Sequence, residues 1–293
     1  MKRDEEVATA AQIACQLEVS AGKPGNVSFT KSFSDVAAEQ FLVSSAAVGR
    51  VFARVSELSV GRLVLDSVRE TKRLVGCNTN LGILLLLAPL ARAAARRISC
   101  DLRDQLKEEL ESLTAEDAYN VYEAIRTASP GGLGDASRYD VNASRAPGSL
   151  MEAMRESSGR DIVAREYVTC FEAVFETGLP VFDASVERGM SLRDAVTQTF
   201  LTLLSSFPDT LIARKRGIAD AQDVSARAAV AIAAGGAATP GGRALIVSLD
   251  GFLRDEANSL NPGATADITV AVLFLVVLRA MENQQLPELL ARW

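Results

Sequence analysis

Apolar residues recur at helical spacing through most of the chain. Leu102, Leu106 and Leu110 stand four apart among charged neighbours, and Ala118, Val121, Tyr122 and Ile125 follow the i, i+3, i+4, i+7 rule. A further stripe through Ala164, Val168, Phe171 and Phe175 predicts another helix. Thr114 with Asp117, and Ser191 with Asp194, mark helix starts in the manner of a capping box, with Asp where Glu or Gln is usual. Alternation of period two is scarce. Ala244 to Leu249 is the one stretch that reads as a strand, and it reads equally well as helix. Ala and Leu fill the apolar positions and aromatics make up only 5%, which suits close helix packing. The pattern predicts an all-α fold, a single compact multi-helix domain of about a dozen helices covering residues 1–293, with no internal repeat and no linker.

One stretch stands out against this background. From Gly76 to Asn80 the chain reads GCNTN, five small or polar residues set directly against the apolar run Ile83 to Leu87. A polar cluster opening a buried helix aims first-turn N–H groups and amide side chains at whatever lies beyond, an anion included. The plainer account is that Asn78 or Thr79 caps the helix. A second polar mouth, Asn261 to Asp267, precedes the apolar run from Ile268. Asp267 stands in or near the first turn there, where burial without a partner is costly, so it is either paired or bound to metal.

Composition narrows the chemistry. The chain has 293 residues, 48% hydrophobic and 23% charged, with a net charge of −6 and a pI near 5.0. Nothing in that balance attracts nucleic acid or an anionic membrane, so an anionic ligand has to be met by local cations. The N-terminus turns acidic at Asp4-Glu5-Glu6, where a secretory signal becomes apolar, and the apolar runs Ile83 to Ala91 and Ile268 to Leu278 fall short of the ~20 residues a bilayer needs. The reading is a cytoplasmic protein. Cys15, Cys77, Cys100 and Cys170 stand far apart, and there is no histidine, which excludes zinc spacing and His-dependent triads. Acid and base work falls to carboxylates, and any metal is a hard cation on oxygen ligands.

Candidate chemistry sits in the loops. Lys23-Pro24-Gly25-Asn26 joins a point charge suited to phosphate with a stiff turn and a glycine that lets backbone approach a ligand, although such a turn is common. Asp35, after Ser34, is a helix cap by default and a metal ligand only if other carboxylates converge on it. Pro130 to Gly148 is the longest segment without helical period. Its Gly132, Gly134, Asp135 and Asp140 would bring backbone and carboxylates to phosphates, yet it matches neither a P-loop nor a dinucleotide-binding glycine pattern. Asp209 marks a helix start, and Arg214-Lys215-Arg216 ends that helix, answering its dipole or a triphosphate.

In order, Lys23 to Val27 (KPGNV), Ser34-Asp35, Gly76 to Gly82 (GCNTNLG), Ser129 to Gly134 (SPGGLG), Pro208 to Lys215 (PDTLIARK) and Asn261 to Asp267 (NPGATAD) resemble the triphosphoribosyl-dephospho-CoA synthase family. The resemblance runs from Lys23 to about Phe274. It implies an all-helical enzyme that moves the 5-triphosphoribosyl part of ATP to a hydroxyl of 3′-dephospho-CoA and releases adenine. It further implies Mg²⁺ on Asp35, Asp209 and Asp267, and phosphate or nucleotide contacts at Lys23, Asn78, Thr79, Asn80, Gly132, Gly134, Arg214 and Lys215. Asp35, Asp140 and Asp267 would be the catalytic carboxylates. On this reading Asp35, Asp140, Asp209 and Asp267 gather in one cavity with Asn78 and Asn80.

The chain also departs from the family. Typical members carry a histidine in the Ser-Asp segment and a His-Lys pair after the Asn-Thr of the central motif; here those places read Phe33-Ser34-Asp35 and Asn80-Leu81. The NTNLGI form resembles a branch found beside one-carbon metabolism in methylotrophs and methanogens. The acceptor there would be a tetrahydromethanopterin precursor. A ribosyl-bond hydrolase, a nucleotide-binding module without catalysis and a ligand-free interaction protein are the other readings. The expected partners are ATP and a small acceptor, and a homodimer stays open.

Overall fold

The computed structural model describes residues 2–33, 36–96, 101–131, 138–142, 148–255 and 257–293. Among these residues there are fifteen α-helices, one π-helical turn and one 3₁₀ turn, with no β-strand beyond an isolated bridge between Ser28 and Lys31. The fold is all-α, as the apolar spacing predicts. Contacts sort the chain into two compact units, one of Met1–Ile13 with Gln40–Phe171, the other of Ala14–Glu39 with Glu172–Trp293. The opening helix α1 (Arg3–Ser20) contains the first of these divisions.

The first unit holds α2 (Ala38–Phe52), α3 (Val60–Val75), α4 (Leu81–Ala95), α5 (Leu102–Glu111), α6 (Ala115–Ala128), α7 (Leu150–Ser157) and α8 (Ile162–Thr169). Its centre is the packing of α3 on α6. Ser59 caps α3, and Gly76 closes it in the left-handed conformation at φ +82°, its N–H bonded to the Lys72 carbonyl. Thr114 and Asp117 form the reciprocal capping box at the start of α6, so Asp serves where Glu is usual. The other Asp117 oxygen accepts the Gly61 N–H at 2.8 Å, which ties the two helix starts together. A side chain at Gly61 would set its Cβ 2.5 Å from the Asp117 carbonyl oxygen, so only glycine permits this approach.

Helix α4 is apolar on nearly every side, with Leu84, Leu86, Leu87 and Leu90 fully enclosed. Pro89 lies inside it and has no N–H to offer the Leu85 carbonyl one turn back. The hydroxyl of buried Tyr167, on α8, donates to that carbonyl at 2.7 Å and fills the gap. The stripe through Ala164 and Phe175 does not form one helix. Helix α8 ends at Thr169, Cys170 and Phe171 take left-handed φ of 51° and 59°, and Val168 is exposed while Phe171 is buried. A periodic pattern survives this break because both segments bury apolar residues on their own.

The second unit contains the π-helical turn Ala173–Gly178, α9 (Leu179–Glu187), α10 (Leu192–Ser206), α11 (Thr210–Arg216), α12 (Ile218–Ala233), α13 (Pro240–Leu253), α14 (Gly263–Glu282) and α15 (Leu286–Leu290). Ala244 to Leu249 lies within α13 and is helical. Ser191 caps α10, but the box is incomplete because the Asp194 carboxylate turns to Arg243 at 2.9 Å. Phe200, Leu204, Ile212, Val224, Leu253 and Leu260 form the core. Helix α14 has 20 residues and is long and apolar enough to cross a bilayer, more than its apolar run alone suggests; 83% of its apolar window is buried in the fold, so it is a core helix.

Candidate functional site

Within the second unit, three of the polar motifs that stand far apart in the chain come together. The Gly25 N–H donates to Asp250 Oδ1 at 2.8 Å, Arg254 Nε donates to Asp250 at 3.0 Å, and Lys31 pairs with the other Asp250 oxygen. Arg254 also donates to the Asn26 carbonyl at 2.7 Å, and Asn261 Nδ2 donates to the Gly25 carbonyl at 2.8 Å. Gly25 has φ +72°, and a Cβ there would meet Leu253 at 2.8 Å and Pro262 at 2.9 Å. The glycine is thus required by packing between the KPGN turn and the Asn-Pro-Gly turn. Burial raises the Asp250 carboxyl, but the hydrogen bonds from Arg254, Lys31 and Gly25 outweigh it and hold the group below the usual carboxylate range. Asp250 and Lys31 escape a sequence reading because neither stands in a recognisable motif.

Two expected phosphate and metal residues have structural roles instead. Lys23 is 1% exposed; its ammonium pairs with Glu18 at 2.9 Å and donates to the carbonyls of Glu18 and Ala21. A phosphate contact at Lys23 is therefore corrected, since its charge is already neutralised inside the fold. The signal for this was Glu18 at the end of α1, five residues before the lysine. Asp209 is 1% exposed, and its carboxylate accepts four hydrogen bonds. Oδ1 takes Leu211 N–H at 2.8 Å and Ile212 N–H at 3.1 Å, and Oδ2 takes both the N–H and the hydroxyl of Thr265 at 2.8 Å. All four lone-pair sites are filled by protein donors, so Asp209 as a metal ligand is corrected as well. It caps α11 and ties it to α14. Burial pushes its pKa up against those bonds.

The remaining carboxylate of this unit, Asp267, is partly exposed in α14. Its charge, after burial and after Glu18, keeps the enclosed Cys15 thiol protonated well above its ordinary range, which makes that thiol inert. Arg214, Lys215 and Arg216 are exposed at the end of α11; Arg216 pairs with Asp220 at 2.9 Å and Lys215 donates to the Asn258 carbonyl at 3.2 Å. Among the described residues no three Asp, Glu, Cys or His side chains come together as a metal-binding group. Asp35 lies outside the described residues, as do Gly132, Gly134 and Asp135.

In the first unit the central motif meets the start of the SPGGLG segment. A hollow of ≈ 140 Å³ lies between the C-terminal ends of α3 and α6 and the entrance of α4, lined by Thr71, Lys72, Asn78, Asn80, Thr127 and Ala128 among others. Asn78 Oδ1 accepts the N–H groups of Asn80 at 3.3 Å and Leu81 at 3.1 Å, so Asn78 is the capping side chain of α4. The expectation that this turn aims those two N–H donors at an anion is corrected, because the amide oxygen has taken them. Asn80 is buried and donates to Thr71 Oγ1 at 3.1 Å; Thr79 shares a hydrogen bond with Ser44. Asp140 lies in this unit, half-buried, accepting the Asn142 N–H at 2.6 Å. Burial and then the Asp140 charge push the Tyr122 phenol up to about 12, and its hydroxyl donates to the Tyr139 carbonyl at 2.6 Å. Asn78, Asn80 and Asp140 belong to one unit, Asp209 and Asp267 to the other.

The chain is all-helical, and its glycine- and asparagine-bearing turns are built into hydrogen-bonded clusters where polar turns open apolar helices. Residues 4–285 match the CitG family, described as ATP:dephospho-CoA triphosphoribosyl transferase, and the chain belongs to that family. It is 33% identical over 132 residues to the 2-(5′′-triphosphoribosyl)-3′-dephosphocoenzyme-A synthase of Klebsiella pneumoniae, covering 44% of this chain and 46% of that one. A Stutzerimonas stutzeri relative that carries the same synthase name as a probable assignment is 34% identical over 105 residues, 36% of each chain. The aligned part spans less than half the length of either relative. A crystal structure assigned as a triphosphoribosyl-dephospho-CoA synthase of Archaeoglobus fulgidus superposes with a TM-score of 0.62 at 28% identity, covering 80% of this chain and 96% of that one.

Proposed function

We propose that the protein transfers the 5-triphosphoribosyl group of ATP to a hydroxyl of 3′-dephospho-CoA and releases adenine. The observation that carries this reading is the family match from residue 4 to residue 285, which takes in every motif cluster described above. The reaction breaks the bond between C1′ of the ribose and the adenine nitrogen and forms a bond from C1′ to the acceptor oxygen. The acceptor's proton passes to a carboxylate and leaves finally with adenine. Asp267 and Asp140 are the described carboxylates for that proton, and a carboxylate also stabilises the positive charge that gathers on the sugar as the base departs. Arg214 and Lys215, exposed and at the end of a helix, are the cations offered to the phosphates.

Magnesium fits this reading as part of the nucleotide substrate. Among the described residues the Asp209 lone pairs are taken by protein donors and no three acidic side chains gather, so one or two other carboxylates together with the phosphates would hold it.

A second acceptor has one observation in its favour. The chain has no histidine at all, so no histidine can serve in acceptor recognition where typical family members carry one. The pterin-pathway hydroxyl in one-carbon metabolism is the alternative acceptor. Incubation with Mg·ATP and 3′-dephospho-CoA, following adenine by chromatography, tests the proposal. Adenine appearing only with dephospho-CoA supports it; adenine appearing only with a ribofuranosyl-aminobenzene acceptor moves the assignment to the alternative. Free triphosphoribose would mark a hydrolase, and no adenine with any acceptor overturns the reading.

A further inference from the structure

The hollow in the first unit has an electrostatic character that the motif at its mouth does not suggest. Helices α3 and α6 both end there, at Gly76 and Ser129, each closed by a left-handed residue at φ +82° and +47°. Helix C-termini concentrate carbonyl oxygens and carry the negative pole of the dipole. Two of them side by side make a surface that repels phosphate. The nearest compensating cation, Lys72, is exposed and donates to the Thr127 carbonyl at 2.9 Å. Arg73 turns away to Glu70 at 2.8 Å. The N–H donors that α4 would have aimed at an anion are spent on Asn78 Oδ1.

The hollow keeps two amides with capacity to spare. Asn78 has its NH₂ free of protein partners among the described residues, because only its oxygen is engaged. Asn80 engages its NH₂ with Thr71, leaving its carboxamide oxygen as an acceptor on the lining. Val68 and Ala128 supply apolar wall. A donor, an acceptor and an acceptor-rich rim around a hollow of ≈ 140 Å³ suit a flat, uncharged heterocycle that carries an amino group. Asparagine amides pair with adenine in this way, giving to a ring nitrogen and taking from the exocyclic amine.

We infer that this hollow is the adenine subsite, holding the base that leaves, and that it excludes the triphosphate. The inference rests on the reading of ATP as donor. Photolabelling with 8-azido-ATP followed by peptide mapping tests it. Modification is expected on peptides containing Lys72 to Asn80 or Thr127 to Ser129, with free adenine suppressing it. Labelling elsewhere, or suppression by tripolyphosphate but not adenine, overturns the subsite. Ala128→Leu, which fills the hollow from the end of α6, is expected to weaken adenine binding in calorimetry at least tenfold; unchanged binding in the folded variant overturns it. Adenine release from ATP, assayed separately, keeps the two claims apart. Release without labelling at the hollow sinks the subsite alone, and labelling at the hollow without release under any acceptor upholds the subsite while sinking the transfer reaction.

Discussion

At the scale of single residues, burial decides what a charged side chain can do. Lys23 and Asp209 sit in motifs that invite a phosphate and a metal, yet each is enclosed and fully partnered within the fold. Removing one member of such a set leaves the other charged or polar groups stranded. Lys23→Met is expected to destabilise the protein by about 3 kcal/mol because it leaves Glu18 buried without its cation, as urea unfolding would measure. Asp209→Ala is expected to cost about 2–4 kcal/mol by exposing the α11 cap and the Thr265 donors to an unfilled space. Asp267 should behave differently. It is partly exposed, and Asp267→Asn is expected to abolish adenine release while leaving a folded protein, as circular dichroism would measure. Retained turnover in that variant would remove Asp267 from the mechanism.

At the scale of elements, helix ends carry the specificity of the fold. Asp117 accepts from the Thr114 backbone and hydroxyl and from Gly61, with Ser59 beside it. Burial raises its pKa, and those hydrogen bonds more than reverse the effect, leaving it below the usual carboxylate range. A carboxylate with a depressed folded-state pKa contributes stability above its unfolded value of about 3.9, and that contribution is lost as pH falls through the folded-state value. Asp250 has the same sign; Asp209, with its pKa raised, has the opposite one. Stability is therefore expected to fall below about pH 4, and Asp117→Asn should flatten that part of the curve. Gly61→Ala tests the same junction by shape. The new methyl would strike the α6 backbone, and a loss of about 2 kcal/mol or more is expected in thermal or urea unfolding.

At the scale of the whole molecule, the family match joins clusters that the structure describes in separate units. Lys215→Ala tests whether the exposed cations at the end of α11 serve the nucleotide. Its partner is a carbonyl at 3.2 Å on the surface, so stability should hardly change. The KM for ATP is expected to rise severalfold with kcat little affected, and an unchanged KM would remove Lys215 from nucleotide binding.

Helical periodicity, the capping box at Thr114, the all-α class and the family motifs were legible in the sequence because each rests on local chemistry within a few residues. The polar mouth at Asn78 was legible too, including the plainer account that Asn78 caps α4. Which polar residues remain free to act was decided by the tertiary structure alone. Glu18 neutralises Lys23, Thr265 fills the lone pairs of Asp209, and Tyr167 serves the carbonyl that Pro89 leaves open. The Asp209 and Tyr167 pairings join residues 56 and 82 positions apart, beyond the reach of any periodic pattern. A hydrogen-bonding group is available to a ligand only when no such distant partner has already taken it, and that partner appears only when the helices pack.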